Sequence, residues 1–194
     1  MKILIVEDER DMREGMAQSL EQELYIVETA ADYAAALEKI GVYQYDCILL
    51  DIGLPDGSGM DLLRELKKEG STSGVIIVSA KESIDDKVTG LNEGADDYLA
   101  KPFHMAELHA RVKSVIRRKM LGGTTKVAIE NVQVDTDERS VTIDGNLLEL
   151  YRKEYDILLY LLTNKGRLVT KAALAEHVWG DAIDEVSSFD FIYS

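Results

Sequence analysis

Five side chains that could act together stand directly after short apolar runs: Glu7 and Asp8 follow Lys2–Val6, Asp51 follows Cys47–Leu50, Ser79 follows Val75–Val78, and Lys101 follows Tyr98–Ala100. If the runs are strands of an open parallel sheet, ligands bind outside their carboxyl ends, and these residues converge on one crevice. Three carboxylates repel one another unless a cation sits among them. Oxygen ligands with no His or Cys nearby select a hard ion, and Mg²⁺, which keeps waters and takes a substrate phosphoryl, is the natural candidate. With that charge and Lys101 neutralising phosphoryl oxygens, and Ser79 donating to one, the Asp51 carboxylate is set to attack phosphorus. The expected product is an aspartyl phosphate on Asp51. A lone Asp after a strand reads as a solvated loop residue; all five types at four strand ends do not. A Mg²⁺-dependent phosphatase with Asp51 as nucleophile would want a second acid two residues on as proton donor, and position 53 is Gly.

The elements that must position this set are legible as a rhythm. To about residue 119, aliphatic runs at Lys2–Val6, Tyr25–Thr29, Cys47–Leu50, Val75–Val78 and Tyr98–Ala100 alternate with helical patterns near 11–23, 32–41, 58–69, 83–94 and 104–119. Strands this short and aliphatic are those covered on both faces. In the third helix Met60, Leu62, Leu63 and Leu66 form the apolar stripe, opposite Arg64, Glu65, Lys67 and Lys68. The count is that of a flavodoxin-like, doubly wound α/β sheet of five parallel strands over residues 1–119.

The rhythm stops at Lys119-Met120-Leu121-Gly122-Gly123-Thr124-Thr125-Lys126, read as a linker over 120–126. Beyond it, Val127–Ile129, Val132–Val134, Val141–Ile143 and Leu147–Leu150 alternate as short antiparallel strands, with Asp144-Gly145-Asn146 as a hairpin turn. Apolar residues at helical spacing follow over 153–164 and 171–179. Strands followed by helices mark a separate α+β unit over 127–194.

Val6-Glu7-Asp8-Glu9, the loop from Leu50-Asp51-Ile52-Gly53 through Leu54-Pro55-Asp56-Gly57-Ser58-Gly59, Val78-Ser79-Ala80 and Lys101-Pro102-Phe103 stand in the order found in receiver domains, and residues 1–119 resemble the CheY-like receiver of two-component response regulators. The resemblance implies Mg²⁺ on Glu7, Asp8, Asp51 and the main-chain carbonyl of Gly53, phosphorylation of Asp51 by a sensor histidine kinase, Lys101 as phosphate clamp behind a cis Lys101–Pro102 bond, and a switch pair of Ser79 and Tyr98. It implies a phosphoacceptor with slow self-dephosphorylation rather than an enzyme. Cys47 reads as a small core residue. His104, His109 and His177 are too scattered for a metal site or an internal relay.

Residues 127–179, with Leu150-Tyr151-Arg152-Lys153-Glu154-Tyr155 and Val178-Trp179-Gly180, resemble the start of the winged-helix effector domain of the OmpR/PhoB subfamily. The resemblance implies a transcriptional regulator that in its full-length form binds promoter DNA and RNA polymerase, and a receiver homodimer joined by Lys87 with Glu107 and Asp97 with Arg111. Asn92 and Ser114 replace further partners, so a weak dimer is expected. The family continues into a basic recognition helix and a wing, whereas this chain ends at Phe189-Asp190-Phe191-Ile192-Tyr193-Ser194. The expectation is an incomplete winged-helix domain without specific DNA affinity as it stands, since that affinity rests on Lys and Arg. The alternative is a receiver acting through protein contacts alone.

Charge is consistent with that expectation. The chain has 194 residues and a net charge of −14. Residues 121–194 carry 7 basic and 13 acidic side chains, so the effector part is itself acidic. No apolar run approaches the roughly 20 residues of a membrane-spanning helix. The N-terminus turns acidic too soon for an export signal. A single cysteine excludes an intrachain disulfide and fits a reducing, cytoplasmic setting.

Overall fold

Residues Ile3–Val6, Cys47–Leu50 and Val75–Val78 are apolar without interruption and fully buried, as central parallel strands must be when helices cover both faces. The computed structural model describes residues 1–81 and 83–179 and divides them into two units, with the break at Thr124/Thr125. In the first, β1 (Lys2–Val6), α1 (Arg10–Gln22), β2 (Ile26–Ala30), α2 (Tyr33–Val42), β3 (Cys47–Asp51), α3 (Gly59–Lys68), β4 (Gly74–Ser79), α4 (Ile84–Asn92), β5 (Asp97–Ala100) and α5 (Met105–Leu121) alternate along the chain. All pairings are parallel and the strand order is β2-β1-β3-β4-β5, the doubly wound order expected.

Alternate strand residues serve opposite faces. Leu4, Val6, Ile48, Leu50, Val75 and Ile77 meet Ala36 of α2 and Leu62, Leu63 and Leu66 of α3. Burying each such leucine contributes roughly 1.5–3 kcal/mol. α1 packs on β1 and β2, and α5 on β3, β4 and β5. At Gly74 an added Cβ would lie 2.3 Å from Val115 Cγ1, so α5 crosses β4 where the strand has no side chain. Cys47 is fully buried in β3.

Helix ends differ from expectation by a residue or two, for local reasons. Asp32, Ser58 and Ser83 are caps rather than first helical residues; their side chains accept N–H bonds from Ala35, Met60 and Asp86. β2 starts one residue late because Leu24 turns the chain at a φ of 67° and the Tyr25 N–H closes on the Leu20 carbonyl. α5 runs on to Leu121 and ends on left-handed Gly122, and the next strand opens at Lys126. The stretch outside both elements is therefore Gly122–Thr125, shorter than the 120–126 linker anticipated.

The second unit is an antiparallel sheet of β6 (Lys126–Ile129), β7 (Val132–Asp135), β8 (Ser140–Ile143) and β9 (Asn146–Leu148), then α6 (Arg152–Thr163) and α7 (Lys171–Trp179). Ile143 pairs with Asn146, so the turn is the two residues Asp144 and Gly145 at φ 51° and 79°, the mirror-image geometry matching strand twist, and Asn146 belongs to β9. Leu150 lies outside the strand and packs on the core of Val134, Val141, Tyr155 and Leu159. Buried Asp156 of α6 takes an Arg139 bond of 2.9 Å from the turn between β7 and β8. The expected absence of a recognition helix and wing concerns residues 180–194, outside the described residues.

Candidate functional site

Sheet register builds the site. Val6 pairs with Leu50, Asp51 with Val78 and Ser79 with Ala100, so Glu7, Asp51, Ser79 and Lys101 all emerge within a rung or so of one another at the carboxyl edge. One oxygen from each of Glu7, Asp8 and Asp51 lies within 4.8 Å of the other two. Glu7 and Asp51 are buried and Asp8 is exposed.

Lys101 Nζ lies 2.5 Å from Asp51 Oδ2 and 2.8 Å and 2.7 Å from Glu7 Oε1 and Oε2. The bond joining Lys101 to Pro102 is cis. Burial pushes the Glu7 carboxyl up, and the Asp51 charge adds to this, so its bonds to Lys101 do not restore the ordinary value. Burial would lower Lys101, but its bonds to Asp51 and Glu7 outweigh it and hold the ammonium above its usual range. Glu7 Oε2 is buried without a hydrogen bond despite its ion contact with Lys101. An oxygen-only donor set with such an atom fits a hard divalent cation.

Backbone groups complete the surroundings. The Gly53 N–H donates to Asp51 Oδ1 at 2.7 Å. Gly59 opens α3 against the end of β3, where an added Cβ would stand 2.1 Å from the Asp51 carbonyl oxygen. Ser79 Oγ, on a buried residue, accepts the Lys81 N–H at 3.1 Å. Tyr98 is 7% exposed and its hydroxyl donates to the Lys81 carbonyl at 2.8 Å, so Ser79 and Tyr98 both engage Lys81.

Two site-forming residues had no role assigned from sequence. Arg13, on α1, donates through Nη1 to the Glu7 carbonyl at 2.7 Å and the Asp8 carbonyl at 3.0 Å, holding the acidic turn from behind. Asp56, in the loop after β3, accepts N–H bonds from α2. The only signal for Asp56 was its place in the quoted loop, and for Arg13 its place one helical turn into α1. Away from the crevice, Arg111 bonds Asp97 through Nη1 at 2.9 Å to each oxygen and Glu107 at 2.7 Å, all within one chain. Lys87 lies on α4, half-buried.

A family profile of the response regulator receiver domain matches residues 3–113, more than half of the chain. The chain belongs to the response-regulator family. A second profile, for the C-terminal part of transcriptional regulatory proteins, matches residues 145–188 of this response regulator. The response regulator ArlR of Staphylococcus haemolyticus is 39% identical over 178 residues, covering 92% of this chain and 80% of that one. The transcriptional regulatory protein PmrA of Pectobacterium parmentieri is 38% identical over 183 residues, covering 93% and 82%. Among solved structures, the OmpR/PhoB homologue DrrB of Thermotoga maritima aligns with a TM-score of 0.56 and 29% identity over 95% of this chain and 85% of its own. The receiver of the Francisella response regulator 1452 aligns at 0.59 and 35% identity over 60% and 97%. This response regulator is thus a two-component transcriptional regulator of OmpR/PhoB type: a CheY-like receiver followed by a winged-helix-like region. No helix among the described residues is long and apolar enough to cross a membrane.

Proposed function

We propose that the response regulator takes a phosphoryl group onto Asp51 from a sensor histidine kinase, in the cytoplasm, and passes the signal to its C-terminal transcriptional-regulator region, whose partners in a full-length protein of this type are promoter DNA and RNA polymerase. The observation that carries this reading is the Lys101 ammonium 2.5 Å from Asp51 beside the cluster of Glu7, Asp8 and Asp51.

Mg²⁺, held by Glu7, Asp8, Asp51 and the Gly53 carbonyl, would supply the charge that draws phosphoryl oxygens to the crevice and offsets the negative charge developing in transfer. The chain's own groups do the rest. The Gly53 N–H fixes one Asp51 oxygen, leaving Oδ2 as the nucleophile next to Lys101. As that oxygen bonds phosphorus, the bond from phosphorus to the donor imidazole nitrogen breaks and the nitrogen keeps the electron pair. Lys101 exchanges its carboxylate contact for a phosphoryl oxygen. Ser79 accepts from Lys81 through a lone pair, so its proton remains to donate to the phosphoryl group. Position 53, two residues beyond Asp51, is Gly rather than an acid that could assist a hydrolytic water, and this supports the reading of a phosphoacceptor with slow self-dephosphorylation.

A receiver homodimer is the proposed output, through Lys87, Asp97, Glu107 and Arg111. It is supported by the exposed apolar residues Ile84, Val88 and Leu91, spaced on one side of α4. The test of the central claim is incubation of the full chain with acetyl phosphate and Mg²⁺, followed by phosphate-affinity electrophoresis. One shifted species is expected, absent in Asp51→Asn and in EDTA; labelling that persists in either would refute the assignment.

A further inference from the structure

Asp56 stands five residues beyond Asp51, at the tip of the loop joining β3 to α3, yet its carboxylate is spent on a different helix. Its Oδ1 accepts the Tyr33 N–H at 2.7 Å and its Oδ2 the Ala34 N–H at 3.0 Å, the first two amides of α2. The third, Ala35, is taken by the helix's own cap, Asp32, at 2.8 Å. The α2 N-terminus thus draws one capping carboxylate from its own sequence and one from the site loop. A negative side chain is favoured there by the unsatisfied amides and the helix dipole. Those backbone bonds hold the Asp56 carboxyl below its usual range, although burial works slightly against them. The next residue reinforces the junction, because an added Cβ at Gly57 would lie 2.8 Å from Tyr33 Cγ.

The base of the same loop is held by backbone. The Gly59 N–H meets the Ile52 carbonyl at 3.3 Å, and Ser58 caps α3. Between base and tip lies Gly53, whose N–H orients Asp51. A short loop anchored at both ends has little freedom in the middle, and releasing the tip restores that freedom to the Gly53 peptide.

We propose that Asp56 is a positioning residue for the phosphoacceptor site: by clamping the loop tip to the first turn of α2 it fixes the Gly53 peptide, and so sets the aim of Asp51 and the affinity of the crevice for a divalent cation. This rests on the reading of Asp51 as a cation-assisted phosphoacceptor. The clamp lies outside the crevice and acts only through the backbone it restrains. Asn at position 56 keeps one acceptor oxygen and restores part of the effect; Ala restores none.

The experiment is titration of the 194-residue chain with Mg²⁺ alone, by calorimetry without phosphoryl donor, for wild type, Asp56→Ala, Asp56→Asn, Asp32→Ala and Asp51→Asn, with circular dichroism to compare helix content. Asp56→Ala should weaken Mg²⁺ binding about 5- to 20-fold, Asp56→Asn should fall between it and wild type, and Asp32→Ala, which uncaps the same helix without touching the loop, should bind as wild type does. In acetyl phosphate labelling, the Asp56→Ala defect should shrink as Mg²⁺ is raised. Equal Mg²⁺ affinity in wild type and Asp56→Ala overturns the clamp. So does an Asp32→Ala defect as large as that of Asp56→Ala, because stability of α2 alone would then account for both. If wild type and Asp51→Asn bind Mg²⁺ alike, or neither binds, the phosphoacceptor reading itself falls and the clamp with it.

Discussion

Lys2 is wholly buried at the start of β1, and its ammonium meets Glu28 Oε1 of β2 at 2.6 Å, with the Tyr43 ring 4.2 Å away. Glu28 also takes the Tyr45 hydroxyl at 2.6 Å and Lys39 at 3.1 Å. Burial alone would raise the Glu28 carboxyl, but bonds from Lys2, Tyr45 and Lys39 reverse the sign and hold it below its ordinary 4.5. A depressed folded value means the contribution is complete above pH 4.5 and lost as pH falls through the lower folded value. Removing one partner of such a pair strands the other charge, at a cost of about 3–5 kcal/mol. Glu28→Gln should therefore lower receiver stability by about that amount in urea denaturation at pH 7. The gap to wild type should narrow as the buffer is taken below pH 4; a gap constant in pH would contradict the ionic account. None of this was legible from the sequence, where Lys2 reads only as the polar first residue of a strand and its surroundings include the Tyr43 and Tyr45 rings, which come from the connection between α2 and β3.

At the scale of elements, α3 is bound to the site through Gly59, whose missing side chain admits the Asp51 carbonyl. A methyl group 2.1 Å from a backbone oxygen cannot be absorbed by a rotamer change, so helix or strand end must move. Gly59→Ala should cost about 1–3 kcal/mol or more in equilibrium denaturation. A neutral result would mean that α3 can slide without disturbing β3. Element types and order were readable because each run carries its own periodicity, and Glu7, Asp8, Asp51, Ser79 and Lys101 because a strand end is a local property. Arg13 turning back onto the Glu7 and Asp8 carbonyls, and Asp56 crossing to α2, were not, since those bonds depend on how helices settle on the sheet. The Asp144–Gly145 turn was visible for the opposite reason: left-handed backbone at two successive positions is a requirement the residues state themselves.

For the whole molecule, the proposed dimer demands that Arg111 trade partners. Its guanidinium is already occupied by Asp97 and Glu107 of its own chain, so an interchain bond to Asp97 replaces one of equal chemistry, and the net gain comes from covering Ile84, Val88 and Leu91. In sedimentation of the phosphorylated chain, Arg111→Glu should abolish dimerisation, and the charge swap Asp97→Arg with Arg111→Glu should recover part of it; a dimer indifferent to both would place the interface elsewhere. Cys47 is the chain's single thiol, sealed in β3 with burial pushing it away from thiolate. A thiolate-seeking reagent must wait for the sheet to part, and the winged-helix-like unit offers it nothing to attack. The molecule thus carries its own clock for the opening of one unit: the rate at which Cys47 is capped counts openings of the receiver and is blind to the unit beyond Thr124.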